Sequence, residues 1–260
     1  MVAILLCYMA GCAKTIELRT FPTTKRAVGE LKSGSADAVV GDYPVVAFEA
    51  RESAGALEVT GYQFDKETIG IGVSKKAVEL KAVITHALRR IIENKSYSAI
   101  LASWALVAAP IDPPPAPATV PEVSTVSQLQ DGELKVGMEL GYPPMEFFDE
   151  LNREAGVDVE LAQALGMELG VNVVFVDMPF DALINAVESR KVDIILSTMA
   201  VTEERSELID FIPYIELGSG ILIPKGNPNS IRSLKDLCGH TVAVQGGTSQ
   251  SKAVNAVSCK

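Results

Sequence analysis

The sequence predicts an α/β protein made of doubly wound lobes, and three observations carry the prediction. Short apolar or alternating runs of strand length recur between stretches with helical periodicity. Loops holding Gly, Pro, Asp or Thr follow the carboxyl ends of those runs, as βα alternation requires. The 260 residues are 48% apolar and 22% charged, enough for the cores of one large domain or two small ones and far from the disordered class.

The elements follow in order. Residues 1–12 are apolar, and Met9-Ala10-Gly11-Cys12 has the pattern of a bacterial lipoprotein cleavage box. The run is short and lacks a basic leader, so a buried helix of the fold is the preferred reading. Thr15–Thr20 alternates and reads as a strand. Thr23–Ser33 reads as a helix with Ala27, Val28 and Leu31 inward. Asp37–Val40 is a short strand ending in Gly41-Asp42-Tyr43-Pro44, and Val45–Ala54 reads as helical. Leu57–Thr60 and Thr68–Ser74 are strands, and Leu80–Asn94 and Tyr97–Leu106 are amphipathic helices with Val83, Ala87, Ile91, Ile100, Leu101 and Trp104 inward. Pro110–Pro121 holds six prolines and few large side chains, the composition of a semi-rigid polyproline linker rather than packed structure. Alternation then resumes. Strands are predicted at Leu134–Met138, Val173–Val176, Val192–Leu196, Ser219–Ile223 and Thr241–Val244. Helices are predicted at Val159–Leu169, Phe180–Ser189, Glu203–Ile209, Ser233–Leu237 and from Thr248 onward.

The chemistry concentrates at strand ends. After the apolar run Val192–Leu196 the chain leaves in small residues, Ser197-Thr198-Met199-Ala200, and Thr202 is placed to cap a helix whose first turn holds Glu203 and Glu204. A strand-end loop feeding a helix favours an anion, and Arg205 adds a two-pronged grip on a carboxylate; an ordinary surface arginine is the other reading. Glu139–Pro144, Gly41-Asp42 and Gln245-Gly246-Gly247-Thr248-Ser249 are the other strand-end loops. The last lacks the Lys-Ser/Thr ending of a nucleotide phosphate loop. A formal charge of −10 with no basic stripe argues against nucleic acid. Cys7 and Cys12 have no second Cys or His pair nearby, which disfavours zinc. Cys238 and Cys259 flank a compact segment and read either as a disulfide of an exported protein or as buried thiols. No run is long enough to span a bilayer.

At this point two sets of motifs stand together. Tyr142-Pro143-Pro144-Met145-Glu146-Phe147, Val157-Asp158-Val159-Glu160-Leu161, Phe180-Asp181-Ala182-Leu183-Ile184, Thr202-Glu203-Glu204-Arg205, Asp210-Phe211 and Asp236-Leu237-Cys238-Gly239 leading to Gly247-Thr248 resemble the first half of the periplasmic polar amino-acid-binding proteins of ABC transporters, solute-binding protein family 3. Phe21-Pro22-Thr23, Leu31-Lys32-Ser33-Gly34, Ala36-Asp37-Ala38-Val39, Asp42-Tyr43-Pro44, Gly70-Ile71-Gly72-Val73 and Tyr97 through Trp104 resemble the second half. The halves stand in reversed order, which resembles a circular permutant whose usual termini are joined through Pro110–Pro121; a fragment of a tandem pair gives the same order.

The resemblance implies a two-lobe periplasmic-binding-protein fold of type II, circularly permuted, with two doubly wound lobes joined by two hinge strands that close over a ligand. One lobe is expected at 74–224, including the helices at 80–106. The other is 1–70 plus 228–260, with hinges near Ile69–Lys75 and Ile223–Pro228 and with Cys238 and Cys259 in one lobe, which favours their disulfide. The resemblance further implies that Arg205 takes the ligand carboxylate beside backbone groups of Thr198 and Ala200, with Thr248 reaching from the other lobe. Asp42 takes the ammonium, because a carboxylate offers only acceptors. Tyr142 and Phe180 form aromatic walls, while Glu139 and Gln245 meet the side-chain end. Ala200 departs from relatives that carry Ser or Thr there, and Glu139 suits a cationic side chain, although solvation at the rim is the alternative. The expected protein is a monomeric, non-catalytic carrier that is periplasmic, extracellular or lipid-anchored at the cell surface. It binds no cofactor or metal and delivers an amino acid to a permease. A cyclohexadienyl dehydratase with Glu139 as general acid and a sensory domain are the competing readings.

Overall fold

The computed structural model describes residues 14–106 and 111–259. The cleavage-box reading, Cys7, Cys12 and Pro110 lie outside those residues. The fold is mixed α/β and divides into two compact units. The first takes the described residues of Met1–Gly41, Glu49–Tyr62 and Gly220–Lys260, and the second Asp42–Phe48 and Gln63–Ser219.

In the first unit, β1 (Glu17–Phe21) leads into α1 (Thr24–Lys32) and then β2 (Ala38–Asp42), whose last residue belongs to the second unit. The Thr23 hydroxyl caps α1 by accepting from Arg26 N. α2 spans Tyr43–Glu52. β3 spans Leu57–Ser74 as one strand, where the sequence suggested two, and runs from the first unit into the second. The polar middle of β3, Gly61–Glu67, hides its continuity in the sequence.

In the second unit, α3 (Val78–Glu93) and α4 (Ser96–Ser103) precede β4 (Glu133–Met138), and the short strands β5 (Gly141–Tyr142), β6 (Glu146–Phe148) and β7 (Glu154–Ala155) form an antiparallel sheet of their own. α5 (Val157–Leu169), β8 (Asn172–Asp177), α6 (Leu183–Glu188), β9 (Ile194–Ile195) and α7 (Glu203–Leu208) follow. The strand expected over Val192–Leu196 pairs regularly only at Ile194 and Ile195, and Phe180–Ala182 is a 3-10 turn ahead of α6. β10 (Ile209–Pro224) carries the chain back to the first unit, where the expected helix at Ser233–Leu237 is a 3-10 turn over Leu234–Leu237. β11 (Thr241–Gln245) and α8 (Ser249–Asn255) close the order.

β11 pairs in parallel with β1 and with β2, while in the second unit β4 pairs in parallel with β8 and β9, and β9 runs antiparallel to β3. Ile71, Val73, Leu80, Ile84, Leu88, Leu134, Val136, Leu161 and Leu165 join one core, where α3 and α4 pack on α5. Leu183, Val187, Val192, Ile195, Met199 and Ile209 form another around α6.

Two findings correct or complete the sequence reading. The proline-rich segment, read as a semi-rigid linker, is mostly exposed but anchored to the fold at Ile111 and Pro114. Pro114 is buried, its carbonyl accepts from Arg89 Nη1 at 2.6 Å, and Ile111 packs against the larger core. Cys238 and Cys259 form a disulfide with Cα atoms 5.7 Å apart. It closes a 21-residue separation, so its removal in Cys238→Ser/Cys259→Ser is expected to cost about 3 kcal/mol in urea denaturation.

Gly156, just ahead of α5, has φ 122°, and a Cβ there would sit 2.2 Å from the Met145 carbonyl oxygen. The obstacle is backbone, so Gly156→Ala is expected to lose about 2–4 kcal/mol in the same assay.

Candidate functional site

The site is built in the second unit from the loop after β9. Gly70 N donates to Met199 O at 3.0 Å and Val201 N to Thr68 O at 2.8 Å, so this loop is stitched along β3 with Ala200 opposite Ile69. The Thr202 hydroxyl then caps α7, accepting from Arg205 N at 3.2 Å. This fixes the backbone of Arg205, whose side chain turns back and donates from Nη1 to Ala200 O at 2.7 Å. Its Cζ lies 5.3 Å from the centre of the Phe180 ring, a stacking distance that suits a planar, weakly hydrated guanidinium. Burial pulls the guanidinium below its ordinary pKa, and the charges of Glu67, Glu204 and Asp42 oppose that pull.

Asp42 is buried, and the Tyr142 hydroxyl donates to its Oδ2 at 2.6 Å. Burial first, then the Asp42 charge, push the Tyr142 hydroxyl well above the ordinary phenol pKa, so it stays a donor and orients the carboxylate. Glu139 is also buried, and its Oε2 accepts from Phe180 N at 3.0 Å. Glu139 therefore ties the ring that stacks on Arg205 to the end of β4, and the rim-solvated alternative does not hold.

Beneath this loop lies a polar cluster that the sequence reading did not single out. Glu146 on β6 and Asp158 on α5 are 1% and 0% exposed. Ser197 Oγ donates to Glu146 Oε1 at 2.9 Å and accepts from Glu139 N at 3.0 Å. Thr198 N donates to Asp158 Oδ2 at 2.8 Å, while the Tyr214 hydroxyl sits 2.8 Å from both Asp158 oxygens. Tyr97 closes the far side by donating to Tyr214 O at 2.5 Å. Burial, then the neighbouring Asp158 charge, raise Glu146 well above the usual carboxylate range. Burial raises Asp158 to about 6, against the hydrogen bonds from Tyr214 and Thr198. The available signal was Asp158 at the second position of an apolar helix start, Val157-Asp158-Val159, where an acid goes inward.

The expected ligand set thus divides. Arg205, Ala200, Phe180, Asp42, Tyr142 and Glu139 belong to one unit; contacts join Arg205, Ala200, Phe180 and Glu139, a hydrogen bond joins Asp42 to Tyr142, and the Asp42 charge acts on Arg205. Thr198 is beside them, with its N–H donating to Asp158 and its hydroxyl to Asp158 and Glu146. Thr248 and Gln245 belong to the first unit. The Thr248 hydroxyl donates to Gln245 O at 2.8 Å and accepts from Ser251 N at 3.1 Å, serving as the cap of α8. The Gln245 side chain accepts from Thr24 Oγ1 at 2.9 Å and donates to Pro22 O at 3.2 Å, bracing the end of β11 against the β1–α1 turn. Among the described residues no group of three or more His, Cys, Asp or Glu is placed to hold a metal, and no helix is long and apolar enough to cross a membrane.

Comparison with known proteins places the same residues in context. Residues 134–257 match the family model of the bacterial extracellular solute-binding proteins, family 3. The arginine-binding extracellular protein ArtP of Bacillus subtilis (strain 168) is 38% identical over 120 residues, 46% of each chain. The L-cystine-binding protein TcyJ of Escherichia coli (strain K12) is 34% identical over 118 residues, 45% of this chain and 44% of that one. This chain thus spans about half the length of the curated relatives it matches. Among solved structures, an ancestral arginine-binding protein bound to glutamine is 37% identical, covering 48% of this chain and 55% of that chain with a TM-score of 0.42. The arginine-bound form of domain 1 from TmArgBP is 37% identical, covering 39% of this chain and 87% of that chain with a TM-score of 0.34. Through residues 134–257, just under half of its length, the chain is similar to the bacterial extracellular solute-binding proteins, family 3.

Proposed function

We propose that this chain is a non-catalytic solute-binding protein, periplasmic or extracellular, that captures a polar or cationic L-amino acid and hands it to an ABC-transporter permease. The observation that carries the reading is the pairing of Arg205, docked on Ala200 O and the Phe180 ring, with Asp42, held by Tyr142, in one unit. A zwitterion needs a donor fork for its carboxylate and an acceptor for its ammonium, and these two side chains supply them. Relatives whose names specify arginine or cystine support the amino-acid class. Asp42, Glu67 and Glu204 all act electrostatically on Arg205, and Glu139 anchors the adjoining Phe180 turn. This acidic surround favours a ligand with a second positive charge. The general-acid role for Glu139 is not favoured, because its Oε2 accepts a backbone N–H. The same reading takes the reversed order of the two halves as a circular permutation, and the packing of α3 and α4 on α5 within one unit supports it.

A thermal-shift screen of the twenty amino acids plus ornithine, citrulline and cystine tests the proposal. A ligand at a hundredfold its dissociation constant adds about 2.7 kcal/mol to stability. The expected result is a shift for arginine, lysine or ornithine larger than for neutral residues. The absence of any shift at millimolar ligand would refute amino-acid binding, and phenylpyruvate formation from prephenate would establish the enzyme instead.

A further inference from the structure

Thr198 carries φ 43°, in the left-handed region that a β-branched residue rarely enters. Such a backbone persists only where its surroundings hold it. The holder here is Asp158, whose Oδ2 accepts from Thr198 N at 2.8 Å and lies 3.1 Å from Thr198 Oγ1. Asp158 is held in turn. The Tyr214 hydroxyl faces both of its oxygens, and the Glu146 carboxyl shares the Thr198 hydroxyl with it, one oxygen of each carboxyl lying 3.1 Å from Thr198 Oγ1. Two carboxyl groups buried around one hydroxyl disfavour each other's charge, so one of them keeps its proton. Glu146 is the protonated member, since Asp158 receives the amide and phenol donors that favour an anion. Two residues beyond Thr198 lies Ala200, whose carbonyl docks Arg205.

We infer that Asp158, braced by Glu146 and Tyr214, is a positioning residue for the candidate carboxylate-binding site. Its carboxylate holds Thr198 in the left-handed turn, and the turn sets the carbonyl on which Arg205 is seated. The inference rests on the ligand role proposed for Arg205, but the turn itself is observable without ligand. The titratable groups facing the pair are Glu139 after β4, Tyr142 on β5, Tyr97 on α4 and Tyr214 on β10, none of them a cation. The Thr198 amide therefore senses the charge on Asp158.

The test follows the Thr198 amide by proton–nitrogen correlation NMR and L-arginine affinity by calorimetry, on the full chain. In the parent the Thr198 amide is expected to titrate with a midpoint near that of Asp158, about 6. In Asp158→Asn the titration disappears, and arginine affinity at neutral pH falls about tenfold as a charge-assisted bond becomes a neutral one. Tyr214→Phe removes a donor that favours the anion, so the Thr198 midpoint moves upward; this variant keeps the claim testable if Asp158→Asn fails to fold. Glu146→Ala weakens arginine binding, and Glu146→Gln, an isostere of the protonated acid, restores it. A Thr198 amide that is invariant from about pH 5 to pH 8, or unmoved by Tyr214→Phe, overturns the positioning role. If the parent shows no arginine binding, the functional reading falls, while the amide titration still decides whether Asp158 holds the turn.

Discussion

Arg205→Ala is expected to abolish the thermal shift of whichever amino acid stabilises the parent most. The substitution removes a donor fork that is docked against Ala200 O and the Phe180 ring. Truncating one partner of a desolvated, hydrogen-bonded charge pair costs about 2–5 kcal/mol, which is a loss of roughly 30- to 3,000-fold in affinity. Arg205→Lys keeps the charge but loses the planar fork, and is expected to retain only a small part of the binding. Asp42→Ala is expected to match Arg205→Ala for the zwitterion, because it removes the ammonium's acceptor. Tyr142→Phe is the milder companion, leaving the carboxylate in place and removing the donor that aims it. Calorimetry on the four variants separates these outcomes. Fluorescence of Trp104, which packs edge-on against Phe147 at 5.7 Å in the same unit, reports whether each one is folded. Unchanged affinity in Arg205→Ala and Asp42→Ala together would remove the site.

The parts of this site that could be read from the chain are those with local grammar. Thr202 followed by two acids announced the cap of α7, and the buried β9 run announced the strand that delivers the loop. The disulfide was open on spacing alone. What escaped needed partners far away in sequence. Asp158 and Glu146 look like solvated acids until Ser197, Thr198 and Tyr214 are brought against them from 40 to 56 residues away. The ligand roles of Thr248 and Gln245 came from the family resemblance, whereas the cap that the Thr248 hydroxyl forms on α8 and the brace that Gln245 forms on the β1–α1 turn needed the fold to be seen. The small sheet of β5, β6 and β7 was invisible because two- and three-residue strands show no period. Proline content spoke for a free spacer, but it could not report that Arg89 would reach a proline carbonyl.

The buried acids also set the sign of the stability–pH curve. Asp158 is raised from 3.8 to about 6 by burial, and Glu146 is raised well above 4.5 by burial and by the Asp158 charge. A carboxyl raised in the folded state favours folding when protonated. Its contribution is complete below the unfolded value and is lost as pH rises through the folded one. For Asp158 that window runs from about 4 to about 6, extending past it on the titration tail, and Glu146 acts in the same direction. Between pH 5 and pH 7 Asp158 alone is expected to withdraw about 1 kcal/mol of stability. The exposed carboxylates Glu17, Glu58, Asp131, Asp149 and Asp236 are lowered by hydrogen bonds and ion pairs, so what they contribute is lost only further into acid. The chain is therefore expected to be most stable on the acidic side, near pH 5. Urea midpoints of the ligand-free protein at pH 5 and pH 7 measure the difference, and Glu146→Gln/Asp158→Asn, which fixes both side chains neutral, is expected to erase most of it. A parent midpoint that is higher at pH 7 than at pH 5 would show that the pair is not the dominant acid in this fold. Because the site uses the anionic Asp158 to hold Thr198, acid that strengthens the fold is expected to weaken the grip on ligand, and measuring both quantities on one sample separates a positioning acid from one that only fills the core.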